Sequence, residues 1–390
     1  MNICVFAESI AHNPASNANA VRGMLRCLMK LRASDTFNLV VPKGSKSSPV
    51  LAEFLNSCNS GNWQVSYLNR HRRVANVLGL LNVRSYINLK QQADFYLNLD
   101  YNYIGRRAWP ALYTVYDIVG VREPHWCSMP WHGARLRQFA LKLLAESDIP
   151  VVATSDFTRN DLISYSERFR HRTTVIHCGI DDVWFDSEPK EDDHGVEKFG
   201  VTKPYWVWYG YITTRKNVDG LVRAYARFMA DYPEKSRIPN LVLVGTLGQD
   251  SKNLPTLIRE SNMESRIRMM PPQPPEPDKL ICLVRNSCGL VFPSHYEGFG
   301  LPAAEALALG KPVLVSNRTS QPEVVGSHGI LCDPNSVESL CDGMSKLLSP
   351  EQLSDEAACA RKQWARRYRH ETAAQKYSEL INRLTAGSRL

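Results

Sequence analysis

A chain of 390 residues is too long for one small module and suffices for two domains, each burying its own core. Hydrophobic residues at 44%, charged residues at 22%, 22 Gly and 23 Pro exclude a disordered or collagen-like chain. The net charge of +8 is uneven: residues 1–185 hold 21 Lys+Arg against 14 Asp+Glu, whereas residues 186–390 hold 26 against 25. The first half is therefore expected to face something anionic, nucleic acid and an anionic membrane surface both fitting.

The chain opens on a strand-like run, Ile3-Cys-Val-Phe6, without the basic stretch and long apolar segment of a signal peptide. No apolar run approaches the ~18 residues of a membrane span, so a cytoplasmic protein is expected. Ten cysteines from Cys4 to Cys359 form no C-x-x-C pair and no Cys/His cluster, which fits a reducing compartment and gives no zinc or disulfide framework. Strands are expected at Asn2–Ala7, Phe37–Val41, Phe95–Leu99, Leu112–Tyr116 and Pro150–Thr154, alternating with amphipathic stretches as in βα units. The loop Glu8–Arg22 lacks a glycine-rich turn; Asn17, Asn19 and Arg22 read as solvated loop residues, phosphate contact being the alternative.

In the stretch His71–Arg84, Val74, Val77, Leu78 and Leu81 recur at helical spacing behind a basic start. That helix either faces the core or lies on a membrane surface. Ser155 is a good N-cap for the helix after Pro150–Thr154. The acidic, polar run Asp186–Gly195 reads as an exposed connection between domain 1–185 and domain 196–369. Second-half strands are expected at Tyr205–Tyr209, Leu241–Val244, Ile267–Met270, Gly289–Phe292 and Pro312–Val315, with a proline-rich loop at Pro271–Pro277. Apolar and aromatic residues at helical spacing from Leu353 to Leu384 close the chain. The fold class is thus α/β with two doubly wound domains.

The stretch Val291–Gly310 carries the chemistry. A buried strand ends at Pro293, glycines follow at Gly298 and Gly300, and Pro302 occupies a favoured first helical position. Backbone amides of Gly298, Phe299, Gly300 and Leu301, with the helix dipole, make an anion site suited to a diphosphate. Glu305 lies on the same helix face as Leu301, where a carboxylate accepts the two hydroxyls of a ribose. Glu297 points to whatever lies beyond the phosphates.

Glu297-Gly-Phe-Gly-Leu-Pro-x₂-Glu305-Ala-x₃-Gly-x-Pro-Val resembles the signature of the retaining glycosyltransferases of group 1, or family 4. That resemblance implies the GT-B fold, two Rossmann-like domains facing across a cleft, with the nucleotide sugar on the second and the acceptor on the first. It also implies that a closing helix at about 370–390 packs back on the first domain. Tyr205–Asn217 is similar to the family's strand-Gly-loop with Arg-Lys-Asn, which gives Arg215 and Lys216 as cations for the donor diphosphate. Tyr211 stands where some members carry another Arg. Leu112–Trp126 resembles the strand ending in His-Asp, with Tyr116 in place of the His, so that a phenol replaces an imidazole base. Asp117 is retained, as a site residue or as a cap. Val175–Asp181 resembles the strand closing the first domain, and Pro322–Gly326 a structural piece. His12, His71, His125, His177 and His295 lack metal-ligand spacing, and no Asp-x-Asp site is present.

The expectation is a metal-independent hexosyltransferase without cofactor. Its donor is a GDP- or UDP-linked hexose, mannose favoured, and its acceptor a glycan or lipid-linked glycan of bacterial surface polysaccharide. Glu297 and Phe299 position the sugar. Peripheral contact with the inner face of the membrane is expected, and no nucleic-acid partner. The rival readings are a non-catalytic nucleotide-binding partner of a glycan assembly complex and a same-fold enzyme acting on a soluble sugar.

Overall fold

A computed structural model describes residues 1–11, 16–68, 93–99, 110–127, 131–185, 196–270 and 277–386. The helix expected at 71–84, the connection 186–195, His12 and nearly all of the proline-rich loop lie outside them. The chain divides into two compact units, one of Met1–Pro124, Met129–Asp181 and Tyr368–Leu390, the other of His125–Ser128 and Asp182–Arg367.

The first unit is built on seven parallel strands: β1 (Asn2–Phe6), β2 (Thr36–Pro42), β3 (Trp63–Leu68), β4 (Phe95–Asn98), β5 (Ala111–Val115), β6 (Val151–Ala153) and β7 (Thr173–Val175). Their order is β3-β2-β1-β4-β5-β6-β7, the doubly wound order in which direction reverses between β1 and β4. Strands buried on both faces need continuous apolar runs, and β5, Ala-Leu-Tyr-Thr-Val, is buried at all five positions. Helices Trp131–Glu146 and Asp156–Tyr165 cover one region of the sheet through Leu141, Leu144 and Leu162, packed with Tyr113, Val115 and Phe169. Ser155 caps the second of these, its Oγ accepting the Thr158 N–H at 3.0 Å.

The region after β1 departs from the expected loop. A short turn at Glu8–Ala11 is followed by a 16-residue helix, Ser16–Leu31, so Asn19 and Arg22 sit on a helix and Arg22 is 8% exposed. The Arg22 guanidinium bonds Asn19 Oδ1 and the Ile10 carbonyl. Helix Ser16–Leu31 packs along His370–Ala386. Arg32 reaches Asn382 Oδ1 at 2.8 Å, and Thr114 and Tyr377 share a buried hydroxyl contact of 2.8 Å.

The second unit holds six parallel strands: β8 (Tyr205–Tyr209), β9 (Asn240–Val244), β10 (Ile267–Met269), β11 (Gly289–Phe292), β12 (Val313–Ser316) and β13 (Ile330–Cys332). Their order, β10-β9-β8-β11-β12-β13, reverses between β8 and β11. β8 shows how this sheet is covered twice: Trp206 packs on Tyr225 and Phe228 of helix Val218–Asp231, while the Tyr205 hydroxyl donates to the Leu283 carbonyl of helix Pro277–Asn286. No described helix is long and apolar enough to cross a membrane.

Candidate functional site

In a doubly wound sheet, ligands gather outside the carboxyl ends of the two strands at the reversal point. In the second unit those ends are Tyr209 of β8 and Phe292 of β11, and the segments leaving them carry most of the expected site residues. β8 runs through Gly210 into the short turn Thr214–Lys216. Asn217 follows in the left-handed region, φ 54°, and opens helix Val218–Asp231. Its buried amide donates to the Pro293 carbonyl at 3.2 Å and the Pro334 carbonyl at 2.7 Å, tying this turn to the end of β11.

Two cations of that turn meet one carboxylate from the other strand end. Lys216 Nζ lies 2.5 Å from Glu297 Oε1, and Arg215 Nη1 lies 3.4 Å from Oε2 while donating to the Tyr296 carbonyl at 2.6 Å. Glu297 is 7% exposed. Burial is the largest influence on its carboxyl and acts to raise the pKa. The charges of Lys216 and Arg215, with the hydrogen bond from Lys216, outweigh it and hold the carboxyl below its ordinary value.

The glycine turn is braced from below. The buried Ser320 hydroxyl lies within hydrogen-bond reach of the Glu297 and Phe299 carbonyls, at 2.9 and 2.8 Å, and Thr319 Oγ1 accepts the Glu297 N–H at 3.2 Å. Gly300, at φ 98° and ψ 52°, is the cap of helix Leu301–Ala308, a conformation that side-chain-bearing residues avoid. Leu301 is the first helical residue and Pro302 the second, one place later than the sequence reading put it. Pro302 has no N–H to leave unsatisfied in the first turn. One turn on, Glu305 Oε2 accepts a 2.7 Å hydrogen bond from the Tyr209 hydroxyl. The structure thus brings Arg215, Lys216, Glu297, Gly298, Phe299, Gly300, Leu301 and Glu305 to one end of one sheet.

Tyr116 and Asp117 follow β5 in the first unit. The Tyr116 carbonyl accepts from the Thr154 and Thr158 hydroxyls at 2.9 and 3.2 Å. Asp117 Oδ1 accepts the Val119 N–H at 3.2 Å just ahead of the short helix Val119–Arg122, whose N-cap is Ile118. Asp117 and Arg137 also line a small cavity of about 70 Å³, otherwise mostly apolar, between β5 and helix Trp131–Glu146. Holding that N–H and a site role are compatible for a carboxylate that accepts several hydrogen bonds.

Three contributors escaped the sequence reading. Tyr209 was legible only as the last strand residue before a glycine. Ser320 lies beyond the motif. The third is a stack of His295 on Trp126, centroids 4.8 Å apart and planes at 19°, beside Arg215, whose carbonyl accepts the His295 N–H at 2.9 Å. Burial, then the Arg318 charge, lowers the His295 pKa against the pull of Asp333. Among the described residues, no group of three or more His, Cys, Asp or Glu is placed to hold a metal ion.

Residues 189–364 match the family model described as glycosyl transferases group 1. The chain is similar to the O-antigen chain mannosyltransferase B of Escherichia coli, 31% identical over 255 residues, 65% of this chain and 65% of that one. It is also similar to the D-inositol 3-phosphate glycosyltransferase of Corynebacterium aurimucosum, 28% identical over 275 residues, 67% of this chain and 64% of the relative. The chain thus spans just under two thirds of the length of these curated relatives. Among solved structures, Anabaena HepE in complex with UDP and glucose superposes with a TM-score of 0.74 at 18% identity, covering 98% of this chain and 99% of that one. The two doubly wound units give the fold of the GT-B glycosyltransferases, and it is the second unit that carries the match to the group 1 glycosyltransferases.

Proposed function

We propose that the protein transfers a hexose, with retention and without a divalent ion, from a nucleoside diphosphate sugar to a hydroxyl of a glycan or lipid-linked glycan in surface polysaccharide assembly. One observation carries the reading: Lys216, Arg215 and the N-terminus of helix Leu301–Ala308 converge at the reversal point of the second sheet, with Glu305 one turn into the helix. Fixed cations and first-turn amides suit a diphosphate and the charge left on it when the sugar departs. Glu305 suits the ribose, and Glu297 with Phe299 the sugar.

In the proposed step the acceptor oxygen bonds to the anomeric carbon as the bond from that carbon to the diphosphate oxygen breaks. The bonding pair stays with the diphosphate, and the acceptor proton passes to it on the same face of the sugar. This assigns no strong base to a side chain and accommodates Tyr116 where relatives carry His. Mannose is favoured as the sugar because of the Escherichia coli mannosyltransferase relative, and GDP or UDP as the nucleotide. The basic first half fits a phosphate-bearing or membrane-held acceptor; the helix read at 71–84 lies outside the described residues.

The test is a thermal-shift screen of GDP, UDP and their hexose conjugates, followed by product analysis with glycan, sugar and water acceptors, with and without EDTA. A ligand bound by the folded state alone raises stability. Stabilisation by one nucleoside diphosphate and EDTA-resistant transfer are expected. Binding without either transfer or slow donor hydrolysis would instead establish the non-catalytic partner that Tyr116 brings into view.

A further inference from the structure

Tyr209 ends β8, buried to 5% exposure, and its hydroxyl lies 2.7 Å from Glu305 Oε2 and 3.1 Å from the Pro302 carbonyl. Its ring lies parallel to that of Trp184, planes at 10° and centroids 6.3 Å apart, and Trp184 is itself 6% exposed. A glutamate on a helix turns about three side-chain torsions, so one partner on the backbone side does not by itself aim the carboxylate. A hydroxyl on a rigid ring, itself laid on a second ring, does.

The hydroxyl carries one proton and has two acceptors in reach. The Pro302 carbonyl alone would satisfy a buried phenol, so the shorter bond to Glu305 is surplus to the needs of the core. Burial, then the Glu305 charge and the hydrogen bond between them, pushes the Tyr209 pKa well above its ordinary value, so the group remains a donor. Charge-assisted hydrogen bonds of this kind are about twice as strong as neutral ones.

We propose that Tyr209, held by Trp184, is the positioning residue that aims the Glu305 carboxylate at the ribose hydroxyls of the donor, and so sets the enzyme's preference for a ribonucleotide. This rests on the reading of Glu305 given above. A strand end is the stiffest place from which to orient a helical side chain, which is why the orienting group stands on β8.

The test compares binding of GDP and UDP with that of their 2′,3′-dideoxy forms by calorimetry, in the full chain and in Tyr209→Phe, Glu305→Gln and the double variant. The ratio of ribo to dideoxy affinity is read within each protein, so a partly unfolded fraction cancels. Tyr209→Phe is expected to shrink that ratio about 5-fold with little change for the dideoxy nucleotide, and to add nothing once Glu305→Gln is present. Trp184→Leu, which keeps the hydroxyl, is expected to shrink it about 2-fold and serves if Tyr209→Phe does not fold. An unchanged ratio in both ring variants, with a reduced one in Glu305→Gln, overturns the proposal and leaves Glu305 as the ribose contact. A ratio unchanged in Glu305→Gln as well removes the donor-site reading itself.

Discussion

Lys216 Nζ sits 2.5 Å from Glu297 Oε1, joining turns that leave two neighbouring strands of the second sheet. The pair is nearly closed to solvent, with side-chain exposures of 13% and 9%. Removing one member leaves the other charge desolvated, which in fully buried pairs costs about 3–5 kcal/mol. Arg215 remains beside Glu297 here and is 22% exposed. Lys216→Met is therefore expected to destabilise by about 1–3 kcal/mol in denaturant titrations and to weaken nucleoside diphosphate binding at least about 10-fold. The folded-state pKa of Glu297 is depressed, so the pair's contribution is present above the unfolded carboxylate value and lost as pH falls through the lower folded one. The stability gap between wild type and variant should close on acidification through that range.

Gly300 gives a cleaner test of the turn. A Cβ built there meets only Gln321 Cγ, at an ordinary 3.7 Å, so the cost of Gly300→Ala is the backbone conformation alone. That cost is about 1–2 kcal/mol, to be read as a lowered melting temperature. Relief of it by turning the 300–301 peptide would re-aim the helix N-terminus, and calorimetry should show nucleotide affinity falling further than stability does.

Asp117 Oδ1 accepts the Val119 N–H, and the side-chain oxygen of Asn can accept the same bond. Asp117→Asn should therefore leave stability within about 0.5 kcal/mol. If the carboxylate faces the acceptor, transfer rate drops at least about 10-fold, or 1.4 kcal/mol of barrier, with nucleotide binding unchanged. Unaltered transfer by Asp117→Asn would assign Asp117 to its backbone contact with Val119 alone.

His370 has a predictable pH signature. Its ring lies against Gly23 and Gly179, where an added Cβ would fall 2.0 and 2.3 Å from ring atoms, and it is 3% exposed. Burial pushes its pKa down to about 4, against the pull of Asp181 and Glu371 and with a push from Arg26. A folded pKa below the ordinary His value means the unfolded chain binds the extra proton first. Stability should fall as pH drops from about 6.5 towards 4, by about 3 kcal/mol in all. Urea titrations across that range should show the slope flattened in His370→Leu.

Most strands were legible from their apolar runs: β1, β2, β4, β5, β6, β8, β9, β11 and β12, and with them the edge strand β10, lie within about a residue or two of their expected bounds. β3 mixes Gln64 and Ser66 into Trp63–Leu68, as an edge strand does, and β13 is also an edge strand whose middle residue, Leu331, is exposed. Likewise, the Glu8–Arg22 region gave no helix signal because Ser, Asn and Ala alternate there where apolar residues would mark a face. Of the site, the Gly298–Gly300 turn was readable because glycine and proline chemistry is local. The pairing of Lys216 with Glu297, 81 residues apart, and of Tyr209 with Glu305, 96 apart, was not, because strand order brings them together and no local pattern encodes it.

Helix His370–Ala386 lies along Ser16–Leu31, and the first unit is finished only by residues that follow the whole of the second. During synthesis the second unit, nearly continuous from Asp182 to Arg367, has all its parts before the first one does. The β-sheet made first must therefore wait, one helical neighbour short, with that apolar flank uncovered until His370–Ala386 has been made.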